Sequence, residues 1–239
     1  MRIILVIAFL FGSLSAWSQE IRINESEKNI ASVDRYNKIA VSHSDKDSMY
    51  TYYFRAVEIA RSILYYEGEL TACFGLAEYH KSDEFFDKRL EYTYRIVQIQ
   101  EKKGNSTEKA DAYQMLGLLY FDEHIYKKAI ENFSEGFAQE GTSMNQRFEA
   151  GIWLTRSYQF SGQSDSALYI ARKLQFDEKR LTDFQRITLY KEKAEVYHSL
   201  GAYEEELGAY RSIVKAATGT THNEFVPIAW NNIGYVYKY

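Results

Sequence analysis

Proline is nearly missing from this chain: Pro227 is the only one in 239 residues. The residue that removes a backbone donor and clashes with the preceding turn is thus absent from long stretches, which makes all-α the natural fold class. Cysteine is equally scarce. Cys73 stands alone, which excludes an internal disulfide and any metal site built from several thiolates; it reads as a small buried hydrophobe. Positive charge is not in excess either. With 29 Lys and Arg against 33 Asp and Glu, the net charge is -4, so this segment has no basic footprint for nucleic acid. The apolar run Ile3–Phe11 is too short to span a bilayer comfortably.

That run has a different reading. Arg2 supplies a positive start, and Gly12–Ser18 follows as a small, turn-like stretch with Ala16 and Ser18 at the positions a signal peptidase reads. The layout matches a secretory signal over residues 1–18, with the mature chain beginning near Gln19 outside the cytoplasm, periplasmic or secreted, the alternative being an uncleaved N-terminal anchor. No cysteine follows the run, which argues against bacterial lipidation.

Chemistry-bearing motifs are also missing. The chain has no G-x-S-x-G, no glycine-rich phosphate loop and no H-E-x-x-H, so no catalytic residue, metal ligand or cofactor is assigned and the chain reads as a non-enzyme. His43, His80, His124, His198 and His222 are scattered and never stand four apart. His124 reads as a solvated turn residue, while His198 could face a groove. The run Glu204-Glu205-Glu206 follows a helix start, where the helix dipole favours negative charge. Asn105-Ser106-Thr107 and Asn132-Phe133-Ser134 match glycosylation sequons, a pattern short enough to arise by chance.

Aromatics, by contrast, are abundant at 16%, with 21 Tyr and 14 Phe, and they are periodic. In Ala110–Phe137 the residues Tyr113, Leu116, Gly117 and Tyr120 follow the spacing aromatic-x2-Leu-Gly-x2-Tyr, and Ala129 and Phe133 follow as Ala-x3-Phe. Residues three and four apart share a helix face, so two amphipathic helices are expected, with Gly117 and Ala129 letting them approach closely. Tyr120 recurs as Tyr158, Tyr197 and Tyr237, at steps of 38, 39 and 40 residues. Leu154, Ala167 and Ala171 repeat the pattern with a turn at Gly162; Tyr190, Ala194, Gly201, Tyr203 and Tyr210 repeat it again; Trp230, Ile233, Gly234 and Tyr237 begin a fourth copy behind Pro227. Upstream, helices are expected over 21–40, 50–66, 67–79 and 83–100, with a turn at Ser42–Asp47. There Cys73, Leu76, Ala77 and Leu90 suggest another copy, and Ala56 with Ala60 the second half of an earlier one. Ser106-x-x-Lys109 is taken to open the best copy and Gly141-Thr142 to close it.

These residues resemble the tetratricopeptide repeat family, most closely at Tyr113–Phe133 and more loosely before Thr107. The resemblance implies a right-handed α-solenoid of antiparallel helix pairs over 19–239, about five to six pairs with the last incomplete. The first helix of each pair would line a concave groove that binds a protein or peptide. By register the groove residues are Gln114, Leu118, Ile152, Arg156, Lys191, Glu195, Asn231 and Tyr235, while Tyr113, Tyr120, Tyr158, Tyr197 and Tyr237 fill the inter-helix core. Two features depart from the family. The steps exceed the usual ~34 residues, and Lys193 and Glu206 stand where Leu and Ala are preferred. A carboxylate in a tight helix contact costs a few kcal/mol, so the helix carrying Glu206 is expected to shift and use Gly208 or Ala209 instead. Recognition is expected to involve these irregular copies. The alternative is the sensory region of a larger membrane-bound regulator, a histidine kinase or DNA-binding protein, with a membrane contact only if the chain continues into a spanning helix.

Overall fold

The computed structural model describes residues 28–81, 86–175 and 178–238; the signal-like segment 1–18 lies outside them. Among the described residues the regular structure is entirely helical: α1 (Ile30–Ser42), α2 (Lys46–Ser62), α3 (Tyr66–Tyr79), α4 (Phe86–Lys103), α5 (Ser106–Asp122), α6 (Tyr126–Ala138), α7 (Met144–Phe160), α8 (Ser164–Gln175), α9 (Asp183–Ser199), α10 (Tyr203–Ala217) and α11 (Phe225–Val236). They form two compact units, one ending at Tyr92 and the other beginning at Thr93, so that the division falls within α4. No described helix is long and apolar enough to cross a membrane.

In the second unit the starts of α5, α7 and α9 are set by capping. Asn105, Ser143 and Thr182 each accept from the backbone three residues on, and Glu108, Gln146 and Gln185 reach back to close a capping box, satisfying donors that a helix start otherwise leaves unpaired. The caps recur at the same steps of 38 and 39 residues as the tyrosines. The first of these helices begins at the expected Ser106, with Asn105 as its cap.

Each of these helices ends in a tight reversal. The N–H groups of Ile125, Gln163 and Ala202 reach back to the carbonyls of Tyr120, Tyr158 and Tyr197 at 2.8, 2.8 and 2.9 Å. His124, Gly162 and Gly201 stand just before the bonding N–H groups with positive φ. This is the left-handed close of a helix that favours glycine; His124 adopts it as an exposed side chain, its ring nitrogen 2.9 Å from the Tyr126 hydroxyl. The hairpins α5–α6, α7–α8 and α9–α10 follow.

Inside α5–α6 the approach is close because Gly117 has no side chain: a Cβ there would lie 2.6 Å from the Phe133 ring. Phe133 is fully buried and packs with Ala129, Leu154 and Ile170. The next contact gathers Ile152, Ala171, Leu174 and Leu189, and the last Ile187, Ile213 and Ala229.

The first unit contains a hairpin that the sequence pairing misassigned. Between α2 and α3 the Tyr65 N–H reaches the Ala60 carbonyl at 2.9 Å and Leu64 has φ 56°, the same reversal as in the three hairpins above. Ala60 thus corresponds to Tyr120, and Ala56 and Ala60 belong to the first helix of a pair rather than to the second half of one. Cys73, buried on α3, falls in register with Phe133. Glu69 falls in register with Ala129, Ala167 and Glu206.

Glu206 overturns another expectation. α10 does not shift to expel it: Glu206 is 3% exposed and its carboxylate meets His198 Nδ1 at 3.2 Å. Glu69, at the equivalent position, is fully buried and accepts from Arg61 Nε at 2.8 Å; Arg61 and His198 are equivalent as well. Two hairpins thus accept a buried acid where two others use alanine, because the preceding helix supplies a nitrogen. Ala209 is buried beside it, whereas Gly208 is exposed. Lys193 is buried too, its Nζ 2.5 Å from Gln175 Oε1 and near the Tyr190 and Tyr197 rings. Burial and the Arg172 charge lower its pKa. On α11 the register tyrosine fails as core: Tyr237 and Trp230 are exposed, and Ala229 and Ile233 are the buried residues.

Candidate functional site

The first helices α5, α7, α9 and α11 present one succession of side chains. Between α5 and α7, Gln146 Nε2 donates to Asp111 at 2.7 Å and Gln114 Nε2 to Glu149 at 3.3 Å. Between α7 and α9, Gln185 Nε2 donates to Asn145 at 2.9 Å, and Arg156 Nη2 to Glu192 Oε1 at 2.6 Å. These bonds form a polar ladder from one first helix to the next. Along this stretch the bonded polar groups engage one another, which leaves few of them to recognise a ligand, although Glu192 Oε2 is buried without a partner.

Four of the eight expected groove residues are consumed by this packing. Gln114 belongs to the ladder. Leu118 is partly buried against the Phe133 cluster. Ile152 is only 4% exposed; it faces Leu181 and Leu189 of the following repeat rather than solvent, because the next hairpin covers that face of α7. Arg156 lies 4.7 Å from the Trp153 ring centre and is held by Glu192, a residue only 1% exposed. The other four, Lys191, Glu195, Asn231 and Tyr235, lie on α9 and α11 and remain open to solvent in whole or part.

Glu195 and Tyr235 meet in one pocket of about 340 Å³. Its walls include the end of α9 with His198, the start of α10 with Tyr203 and Glu206, and Tyr210 farther along α10. Gln159 of α7 reaches it as well, and its buried Oε1 has no hydrogen-bond partner within the protein. An apolar cavity of about 160 Å³ shares Tyr210 and Asn232 with this pocket and is bounded by Ile187, Phe225 and Ile228. A wider opening of about 780 Å³ lies along α5 and α6, beside Tyr94, Ile130 and Asn132.

Burial, and then the neighbouring Glu192 charge, push the Glu195 carboxyl above the usual glutamate range. A group that binds its proton more tightly when folded loses stability as pH rises from its unfolded to its folded pKa. Glu195→Gln is therefore expected to melt about 1–2 °C higher than the wild type at neutral pH, a small gain because the group is half-exposed. The gain should vanish in acid, below the ordinary glutamate range; a melting series across pH checks it.

His198, Tyr203, Glu206 and Tyr210 were not among the expected groove residues. The signals that could have found them were the misfit of Glu206 in its repeat and the chance that His198 faces a groove. The pocket sits at the closing turn of a first helix, whereas the register placed candidates along its middle. Among the described residues, no group of three His, Cys, Asp or Glu side chains is arranged to hold a metal ion.

No protein-family model and no curated protein matches the chain in sequence. Solved structures do match in shape. One from Podosopora anserina, described as kinesin light chain nearly identical TPR-like repeats, aligns with a TM-score of 0.62 at 18% identity, over 83% of this chain and 99% of that one. The fold is that of TPR-like repeats. RapI in its apo form aligns with a TM-score of 0.51 at 16% identity, over 98% of this chain and 90% of that one. The TPR-like fold accounts for the recurring hairpins, and the lengthened steps are accommodated by the 17-residue first helices α5, α7 and α9.

Proposed function

We propose that this chain is a non-catalytic TPR-like scaffold, exported from the cytoplasm, that binds a peptide or an extended protein segment across α9 and α11. The observation that carries the reading is the contrast along the first helices. From α5 to α9 polar side chains bond from one repeat to the next, while Lys191 and Glu195 pair within α9 and, with Asn231 and Tyr235, stay open in whole or part around a polar pocket and an adjoining apolar cavity. A concave site with aromatic walls and a few converging polar groups is the usual form of a ligand site. Export rests on the layout of residues 1–18.

Selection from a displayed library of random decapeptides tests the binding. The wild type should enrich a family of related sequences over a folded control protein, and the Asn231→Arg/Tyr235→Ala double variant should retain little of them. Both side chains are exposed, so the variant is expected to keep its fold. Equal retention by the two proteins would contradict the assignment.

A further inference from the structure

The pocket at the α9–α10 turn is unusual in which charges it holds. It contains the carboxylates of Glu195 and Glu206, and none of its lining residues is a lysine or arginine. Glu206 is deeply buried and its partner is an imidazole. The equivalent acid of the first unit, Glu69, is met at the equivalent position by the permanent cation of Arg61. A guanidinium brings a fixed charge and five N–H donors, whereas an imidazole is charged only in acid. The α9–α10 hairpin thus buries the same acid without the permanent positive charge that accompanies it in α2–α3.

The remaining walls complement a planar cation. Tyr203, Tyr210 and Tyr235 contribute rings, whose faces attract a guanidinium. Gln159 adds an unpaired amide oxygen, so acceptors predominate. Nearby cations meet the demand only in part. Arg156 is held by Glu192 and Arg211 donates to the Tyr237 hydroxyl, while the exposed Lys191 pairs with Glu195 at 3.8 Å from outside the pocket lining and leaves the buried Glu206 without a permanent cation.

From these observations, and resting on the peptide-binding reading above, we infer that the pocket receives the guanidinium of an arginine side chain from the bound peptide. Glu195 and Glu206 supply the counter-charge, and Gln159 accepts a further N–H. A cation seated there would also offset the burial and the Glu192 charge that hold the Glu195 carboxyl up. The adjoining apolar cavity would take a neighbouring aliphatic side chain of the same peptide.

The test uses four synthetic peptide mixtures, randomised except at a central position fixed as arginine, lysine, citrulline or glutamate, with binding read by fluorescence anisotropy. Citrulline keeps the shape of arginine and removes its charge. The arginine mixture is expected to bind the wild type about tenfold more tightly than the citrulline mixture, with lysine between them. In Glu195→Gln and in Tyr235→Ala that preference should shrink to about twofold. Equal binding of the arginine and citrulline mixtures would overturn the inference while leaving the peptide-binding reading intact, because the mixtures would still bind. Lysine binding more tightly than arginine would overturn the guanidinium assignment. Binding of none of the mixtures would remove both readings.

Discussion

Arg156→Met is expected to destabilise the second unit by about 3–5 kcal/mol, the cost of leaving a buried carboxylate without its partner. Glu192 is only 1% exposed, one of its oxygens bonds Arg156 at 2.6 Å, and the other has no partner. Methionine would preserve much of the stem that packs near Trp153 but supply no charge. The decisive comparison is the double variant. Removing the acid as well, in Arg156→Met/Glu192→Leu, should recover most of the loss, since an apolar pair of similar volume often replaces a buried ion pair at little cost. Urea denaturation followed by circular dichroism gives all the values. A single-variant loss below about 1 kcal/mol would mean that the pair behaves like an exposed one. The prediction also separates two cations that look alike in sequence: Arg156 holds adjacent repeats together, while the exposed Lys191 pairs with Glu195 on its own helix.

The second large effect concerns the close contact between α5 and α6. Phe133→Ala is expected to cost about 3–5 kcal/mol, the range for truncating a fully buried aromatic side chain. Phe133 has no exposed surface and its ring stacks 6.2 Å from that of Trp153. It also fills the space that Gly117 leaves open, so Gly117→Leu alone should destabilise by overpacking, by about 1–3 kcal/mol or more. Together the two changes should cost less than their sum, because the new leucine occupies part of the volume vacated by the ring. Additive losses in the double-mutant cycle would show that Gly117 and Phe133 do not share one space.

The fold was legible because its determinants are local and periodic. The tyrosine series and the Gly117–Phe133 complementarity survive in the sequence as spacing, and so does the turn glycine at Gly162. The first unit was harder to read because its signature residues are replaced. Leu64 stands where glycine closes two of the three later turns, and Glu69 stands where alanine is expected. An acid at a tight contact looks forbidden until Arg61 is seen beside it. The same blindness affected Glu206, whose partner His198 lies on the preceding helix, eight residues earlier in the chain.

The candidate site was legible only in part. Register pointed to the first helices as the face to examine, but it could not tell which of their polar residues were already engaged. Gln114 and Arg156 bond to the neighbouring repeat over 35 and 36 residues of chain, and Ile152 is covered by the next hairpin. Such contacts depend on how repeats stack, which hydrophobic spacing does not encode. Glu195 and Tyr235 remain open because they lie where that stacking leaves α9 and α11 uncovered.

The most direct test is a residue-by-residue map of backbone amide shifts in the isotope-labelled protein as a peptide recovered from the library selection is added. The shifts should concentrate on α9 and α11, around Glu195, Asn232 and Tyr235, and leave α6 unchanged. A footprint centred instead on Ile130 and Asn132, along the α5–α6 opening, would contradict the placement of the site.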